Sequence, residues 1–327
     1  MLISDKLKSF DFTYAEKEIV KYFLNQKEEI ARQSTREISK RLYCSPSSII
    51  RLCQKLGFTG FEEFKEMYLQ ARKVTFANYT PTYGRQIAIF TGGQPGAGKS
   101  GIVLKAKKEF LEMNKDLIVF DLDMYRGLYK KSFEIARRYP DLYSEITGKS
   151  AGKIMERLSA EAIENGYNFI LEGTMEKSVY TLDLLQKYKV DYDIVARLLA
   201  VSREESLLSI FERYIEMKKA MGIGRMTTIE SHDKKYNNFL NIAGTLERRG
   251  VEVEVFERSE DIVNPNMTYK TSGKNSRYNS VVEALIRGRN NSSRICMNNA
   301  MQRLESIKND LQEFGEEDIL IFFSKFL

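Results

Sequence analysis

Tryptophan is absent from this 327-residue chain, histidine occurs once, cysteine three times and proline five times. One histidine excludes a clustered imidazole metal site, and any Ser-His-Asp triad would have to use His232. Cys44, Cys53 and Cys296 contain no C-x-x-C pair, which excludes a zinc ribbon and a thioredoxin-type redox centre. So sparse and odd a cysteine count argues against a disulfide scaffold and fits a reducing, cytoplasmic setting. MLISDKLKSFDF shows no basic-then-apolar leader pattern. No run approaches the ~18 apolar residues of a membrane span; the best, Ile194–Val201, is short and holds Arg197. Any chemistry therefore falls to Asp, Glu, Lys, Arg and the backbone.

What is present is ordinary for a globular protein: 43% hydrophobic and 29% charged residues, with a net charge of +6. Residues 1–80 hold 14 basic and 10 acidic side chains, so +4 of the +6 lies in the first quarter of the chain. That quarter reads as helices only. Thr13 with Glu16 and Ser34 with Glu37 match the S/T-x-x-E capping box, and Ser45-Pro46 sets an N-cap before a proline at the first helical position. That third helix carries Ile49, Ile50, Leu52, Cys53 and Leu56 and stops at Gly57; a further helix runs from Phe61 to about Arg72. VTFANYTPTYGR, with no clear period, reads as a linker whose tyrosines would otherwise pack on a domain surface.

From Gln86 the pattern becomes strands alternating with helices. Strands are expected at Gln86–Phe90, Asp116–Phe120, Tyr167–Leu171, Asp193–Ala200 and Val251–Phe256, with helices at Ser100–Met113, Ala151–Asn165, Val179–Lys187, Arg203–Ala220 and His232–Arg249. Alternation of this kind predicts an α/β fold, a mostly parallel sheet with helices on both faces. Asn264–Asn279 reads as a loop, Val281–Arg289 and Arg294–Phe314 as helices, and DILIFFSKFL as an apolar closing segment.

The strongest local signal is Gly93, Gln94, Pro95, Gly96, Ala97, Gly98, Lys99 and Ser100, which fits G-x-x-x-x-G-K-[ST] between an apolar strand and a helix. Glycines let successive N–H groups curl inward onto phosphate oxygens, and the following helix adds its positive N-terminal end. Lys99 would neutralise the β- and γ-phosphates, and the Ser100 hydroxyl would ligate Mg²⁺. No NKxD-type guanine-reading motif is evident, so ATP is the expected nucleotide. The next strands end in Asp121, Leu122, Asp123 and in Glu172, Gly173, Thr174. Ligands of open α/β sheets sit beyond the carboxyl ends of strands. Asp123 suits a catalytic base for a hydroxyl acceptor; Asp121 and Glu172 suit Mg²⁺ or substrate, the alternative being that these acids only cap helices. Arg213 and Arg225 suit a lid that closes on the transferred phosphoryl, the alternative being a solvated basic face with Lys218 and Lys219.

GGQPGAGKS, FDLDMYR, LEGT and FERY…GIGR…HD together resemble the zeta-toxin family over about residues 86–258. That family comprises P-loop kinases that phosphorylate the sugar 3′-hydroxyl of UDP-N-acetylglucosamine with ATP and Mg²⁺. The resemblance implies that Lys99 and Ser100 bind nucleotide and metal, and that Asp123 is the base with Arg126 beside it. It implies further that Glu172 and Thr174 hold the amino sugar, and that Arg213 and Arg225 clamp phosphate. Tyr129 and Lys130 stand where family members often have His-Pro, and Glu176 where many have Arg; both departures fall on the substrate side.

Residues 1–75 resemble the RpiR-type helix-turn-helix, most closely in the run RLCQKLGFTGFEEFK. The helix starting at Ser45 would be the recognition helix, with Ser47, Ser48 and Arg51 reaching DNA. A small protein-interaction module is the alternative. The domains expected are thus residues 1–75, a linker 76–85, a kinase domain 86–258 and a C-terminal helical extension 259–327. Two readings stay open: a sugar-nucleotide kinase with a DNA-binding head that represses its operon or docks an antitoxin, and a regulator whose P-loop domain senses ATP or a sugar nucleotide.

Overall fold

The computed structural model describes residues 13–25, 27–140, 142–173, 175, 182–183, 192–259, 261, 264–273 and 278–324. The first helices are α1 (Tyr14–Asn25), α2 (Thr35–Arg41), α3 (Pro46–Lys55) and α4 (Phe61–Phe76), with a 3-10 turn at Lys27–Arg32. The capping signals are real. Ser34 and Glu37 form a reciprocal box, Thr13 and Glu16 do the same, and Ser45 accepts from the Ser48 amide at 3.1 Å with proline at the first helical position. The apolar positions converge on one core in which Phe64 stacks between Phe23 (5.1 Å) and Tyr68 (6.0 Å).

The body is a six-stranded sheet in the order β2-β3-β1-β4-β5-β6. Its strands are β1 (Gln86–Gly92), β2 (Ile118–Asp121), β3 (Phe169–Glu172), β4 (Tyr192–Leu199), β5 (Glu252–Glu257) and β6 (Asn266–Lys270). The first five are parallel, and β6 runs antiparallel beside β5. The sheet is thus mostly parallel, as expected, with one antiparallel edge strand; the expected loop Asn264–Asn279, by contrast, contains that strand. Its sequence NMTYK lacks an apolar run because an edge strand buries few side chains; of its five residues only Tyr269 is buried.

Helices between the strands are α5 (Lys99–Glu112), α6 (Leu122–Gly127), α7 (Ser132–Arg138), α8 (Tyr143–Glu164), α9 (Arg203–Met221) and α10 (Ile229–Arg248). The expected helix Val179–Lys187 falls, apart from Leu182 and Asp183, outside the described residues. After the sheet, α11 (Val281–Glu313) is one continuous helix of 33 residues where two were expected, and α12 (Glu317–Ser324) follows. These two pack on α9: Phe323 meets Phe211 edge-on at 4.6 Å, Lys219 pairs with Asp310 at 2.6 Å, and Lys218 pairs with Glu316.

The segment expected as a linker is not free chain. Val74 and Thr75 lie inside α4, and the following stretch is pinned to the body. The Thr80 amide and hydroxyl both donate to Asp116, and Asn168 donates to Thr82. The cores of the helical head and of the sheet's β2–β3 side merge into one buried cluster.

Candidate active site

β1 lies at the centre of the sheet, with β3 on one side and β4 on the other, so its carboxyl end opens at the switch in strand order. The glycine-rich loop begins there. Gly96 (φ 75°) and Gly98 (φ 91°) are left-handed, a conformation side chains resist. Gly96 also has no room for one: a Cβ would lie 2.0 Å from the Ser206 carbonyl oxygen of α9. Lys99 Nζ folds back to donate to the Gly93 and Gln94 carbonyls, each at 3.2 Å. Burial pushes its pKa down, against the pull of Glu172. Ser100 is exposed in the first turn of α5. The Gln94 side chain turns into the protein interior. It is buried and donates to the Val201 carbonyl (2.9 Å) and to Ser206 Oγ (3.1 Å).

Facing the loop is a cleft of ≈ 370 Å³. Pro95, Gly96, Lys99, Asp121, Asp123, Arg126, Glu172, Arg213 and Arg225 all line it, although they are drawn from five separate stretches of chain. The pairing of β2 with β3 sets Asp121 directly opposite Glu172. Asp121 caps α6, accepting from the Asp123 amide at 2.8 Å, so the capping alternative holds for it while it also faces the cleft. Burial, and next the approach to Asp123, raise the Asp121 pKa; burial and then Asp121 raise that of Glu172. Asp123 behaves oppositely. Burial alone would raise it, but Arg225, Arg126 and Arg213 together hold it below the ordinary carboxylate value. Its Oδ1 accepts from Arg126 at 2.6 Å and its Oδ2 pairs with Arg225 at 2.8 Å.

Arg213 and Arg225 line the cleft rather than a solvated face, and Lys218 and Lys219 are themselves paired with Glu316 and Asp310. Burial lowers the pKa of Arg213, with Asp123 pulling the other way. The Nε atoms of Arg126, Arg213 and Arg225 are buried with no hydrogen-bond partner. An unpaired buried donor is costly, so these three arginines carry unmet hydrogen-bonding capacity beside the cleft they line. Thr174 and Glu176 lie outside the described residues.

The structure adds residues that sequence reasoning missed. Ser144, Glu145, Thr227, Thr228, Ser231 and Lys235 also line the cleft. Lys235 Nζ donates to Ser231 Oγ at 2.9 Å; the i, i+4 spacing on α10 was the only sequence signal. Arg258, just past β5, braces the loop from outside, donating to the Ala97 carbonyl at 2.9 Å and to that of Gly96, and pairing with Glu205. No pattern marks it, since its partners on the loop lie some 160 residues upstream. His232 is fully buried and absent from the cleft wall. It lies within a chain of hydrogen bonds running from Gln94 through Ser206 Oγ (2.8 Å to Nε2) to Asp233 (2.9 Å from Nδ1), which Arg203 clamps with two bonds of 2.8 Å.

The zeta toxin profile matches residues 70–273, the stretch that builds this cleft. The chain belongs to the zeta-toxin family. Toxin PezT of Streptococcus pneumoniae is 29% identical over 194 residues, which span 57% of this chain and 74% of that protein. A solved structure of the PezAT chromosomal toxin–antitoxin system of the same species superposes with a TM-score of 0.60 at 23% identity, covering 78% of this chain and 97% of that one, a likeness of fold. A helix-turn-helix domain of the rpiR family matches residues 2–72. This zeta-toxin family member thus joins a P-loop kinase-like domain to a helix-turn-helix domain. Among the described residues no helix is long and apolar enough to cross a membrane.

On the head, Ser47 and Arg51 are exposed on α3 while Ser48 is half-buried, its hydroxyl 2.9 Å from Ser45 Oγ. Arg51 Nε donates to the Ser47 carbonyl at 3.3 Å. The departure at Tyr129 has a structural counterpart: its ring packs against the merged core, where burial and then Glu63 of α4 raise its pKa.

Proposed function

We propose that this zeta-toxin family member is an ATP-dependent kinase that transfers the γ-phosphate to the sugar 3′-hydroxyl of UDP-N-acetylglucosamine. The observation that carries this reading is the ionised Asp123 in one cleft with the loop lysine and three arginines whose Nε atoms lack partners. Phosphoryl transfer asks for positioning and charge stabilisation more than covalent chemistry, and this wall provides both. Asp123 accepts the proton of the attacking hydroxyl, and Arg126 orients it through the 2.6 Å bond. Arg213 and Arg225 spread the charge of the phosphoryl in flight, and Lys99 neutralises the outer phosphates. Glu172, with Thr174, holds the amino sugar.

The donors, a carboxylate and a hydroxyl oxygen, suit Mg²⁺: Asp121 lines the cleft, and Ser100 lies next to Lys99 at the start of α5, exposed and outside the lining itself. Ser100 and Asp121 would hold it. Among the described residues no group of three or more His, Cys, Asp or Glu could cage a metal, so the remaining ligands would be phosphates and water. Bound there, the ion supplies charge neutralisation to the phosphates.

Residues 1–75 are proposed to bind DNA through α3, with Arg51 on the exposed face. The likeness to toxin PezT and to a toxin–antitoxin system supports an antitoxin as a further partner.

The test is purified protein with ATP, Mg²⁺ and a panel of sugar nucleotides. Phosphorylated UDP-N-acetylglucosamine is the expected product, abolished by Lys99→Ala and by Asp123→Ala. Activity that survives Asp123→Ala overturns the assignment of the base. ATP binding with no transfer to any sugar nucleotide would favour the regulator reading.

A further inference from the structure

Asp123 and Arg126 ride on α6, a helix of only six residues. A helix this short has little stability of its own, so tertiary contacts decide where it sits. Asp123 and Arg126 share the face turned to the cleft, as their i, i+3 spacing requires. Tyr125, about 200° round the helix from Asp123, points the other way. It is fully buried, and its hydroxyl lies 2.8 Å from Thr75 Oγ1, on the last helix of the N-terminal domain. Thr75 has one hydroxyl proton, and that proton bonds the Ala71 carbonyl at 2.8 Å. Tyr125 is therefore the donor and Thr75 the acceptor. Thr75 is itself buried, so water offers no substitute.

A second element repeats the arrangement. Helix α8 presents Ser144, Glu145 and Met155 to the cleft, and its Ser144 carbonyl accepts from Arg126 Nη2 at 3.3 Å. Its other face holds the head. Ser150 Oγ donates to the Gly57 carbonyl at 2.9 Å, Arg157 lies over the Tyr68 ring at 4.7 Å, and buried Glu161 pairs with Arg72 at 2.8 Å. Both substrate-side walls of the cleft are thus fastened from behind to the N-terminal domain.

We propose that the N-terminal helices back the walls of the phosphotransfer site, and that Thr75 is the positioning residue that sets Asp123 through Tyr125. This rests on the phosphotransfer reading of the cleft. Thr75 touches neither substrate nor nucleotide; it holds the helix on which the base is carried. A misplacement on the order of 1 Å at a reacting group costs up to about 100-fold in rate.

The full-length chain carries the test. Thr75→Val keeps the side-chain shape and removes the acceptor. The expected result is a fall in kcat of roughly ten- to a hundredfold with KM for ATP unchanged. Amide exchange should be faster at residues 121–127 and unaltered at 93–100. Thr75→Ser, which retains the hydroxyl, should restore both. Where Thr75→Val does not fold, Tyr125→Phe asks the same question without stranding a buried group, because Thr75 keeps its bond to Ala71. Wild-type kcat together with wild-type exchange at 121–127 in these variants overturns the proposal. So does a Thr75→Ser variant as impaired as Thr75→Val, which would assign the effect to packing. If the wild-type chain phosphorylates no sugar nucleotide, the kinase reading falls by itself, and exchange at 121–127 still decides whether Thr75 holds α6.

Discussion

Asp123 sits between two guanidinium groups, and that placement decides its protonation. The carboxyl is buried, which taken alone favours the neutral acid, yet Arg225 and Arg126 at 2.8 and 2.6 Å reverse the balance. A group held low in this way is ionised from below the ordinary carboxylate range upward, so the proposed base is ready throughout neutral pH. Removing a cation removes part of that hold. In Arg225→Ala the acid limb of the kcat/KM profile should therefore move to higher pH, beyond any fall in the plateau; an unmoved limb would mean that another group titrates there. Arg213 makes no ion pair with Asp123, and in the proposed reaction it meets the phosphoryl together with Arg225. Losing a phosphoryl-stabilising arginine costs about 10³–10⁵ in rate. Arg213→Ala is expected near that range in a single-turnover assay, and a loss of less than about tenfold would take it out of the site.

Among the helices, the same physics made some ends readable and others not. The starts at Thr13, Ser34 and Ser45 were legible because a cap is a local bargain between residues three apart. Strand β6 was not, because its pairing with β5 spans a loop and its own sequence has no apolar alternation. The break expected inside Val281–Glu313 came from the polar run RNNSSR; α9 and β5 pack against this helix and outweigh the weak propensity of that stretch. Helix α10 carries a further consequence. Burial pushes the His232 pKa below its ordinary value, although Asp233 opposes this. Above about pH 6.5 the ring is neutral in both folded and unfolded chains; below it the unfolded chain takes up the proton more readily. Stability should fall as pH drops through that window, and the slope should be shallower in His232→Asn. Urea unfolding of both proteins between pH 5.5 and 7 measures it, and parallel slopes would show that His232 is not the titrating group.

The whole molecule is less divided than its two families suggest. The head contributes Phe23, Phe64 and Tyr68 to the same buried cluster that holds Phe120 and Phe169 of the sheet. Its basic excess lies at the other end from this junction only in part, since Arg72 is spent on Glu161 while Arg51 stays exposed on α3. If α3 meets DNA, binding should weaken steeply as salt rises, through release of counterions from the phosphates. Arg51→Ala should weaken binding and leave phosphotransfer unchanged. Filter-binding across a salt series checks the first, and the sugar-nucleotide assay the second; salt-insensitive binding would point to a protein partner for this face.

By itself the sequence determined the parts that depend on neighbours along the chain. These are the phosphate loop, whose glycines must take left-handed backbone; the caps of the head; and the acids at the ends of β2 and β3. It also named both families, because their motifs are short contiguous runs. Only the tertiary structure decided what those parts face. Arg258 reaches the loop across a long stretch of chain, Lys235 joins the cleft wall, Asp121 turns out to cap a helix, and Asp123 is held low by Arg126 on its own helix and by Arg225 and Arg213 from distant stretches. The merging of head and body was equally invisible in the sequence. Thr75 and Tyr125 lie 50 positions apart, and no local pattern records a hydrogen bond that exists only when α4 is packed against α6.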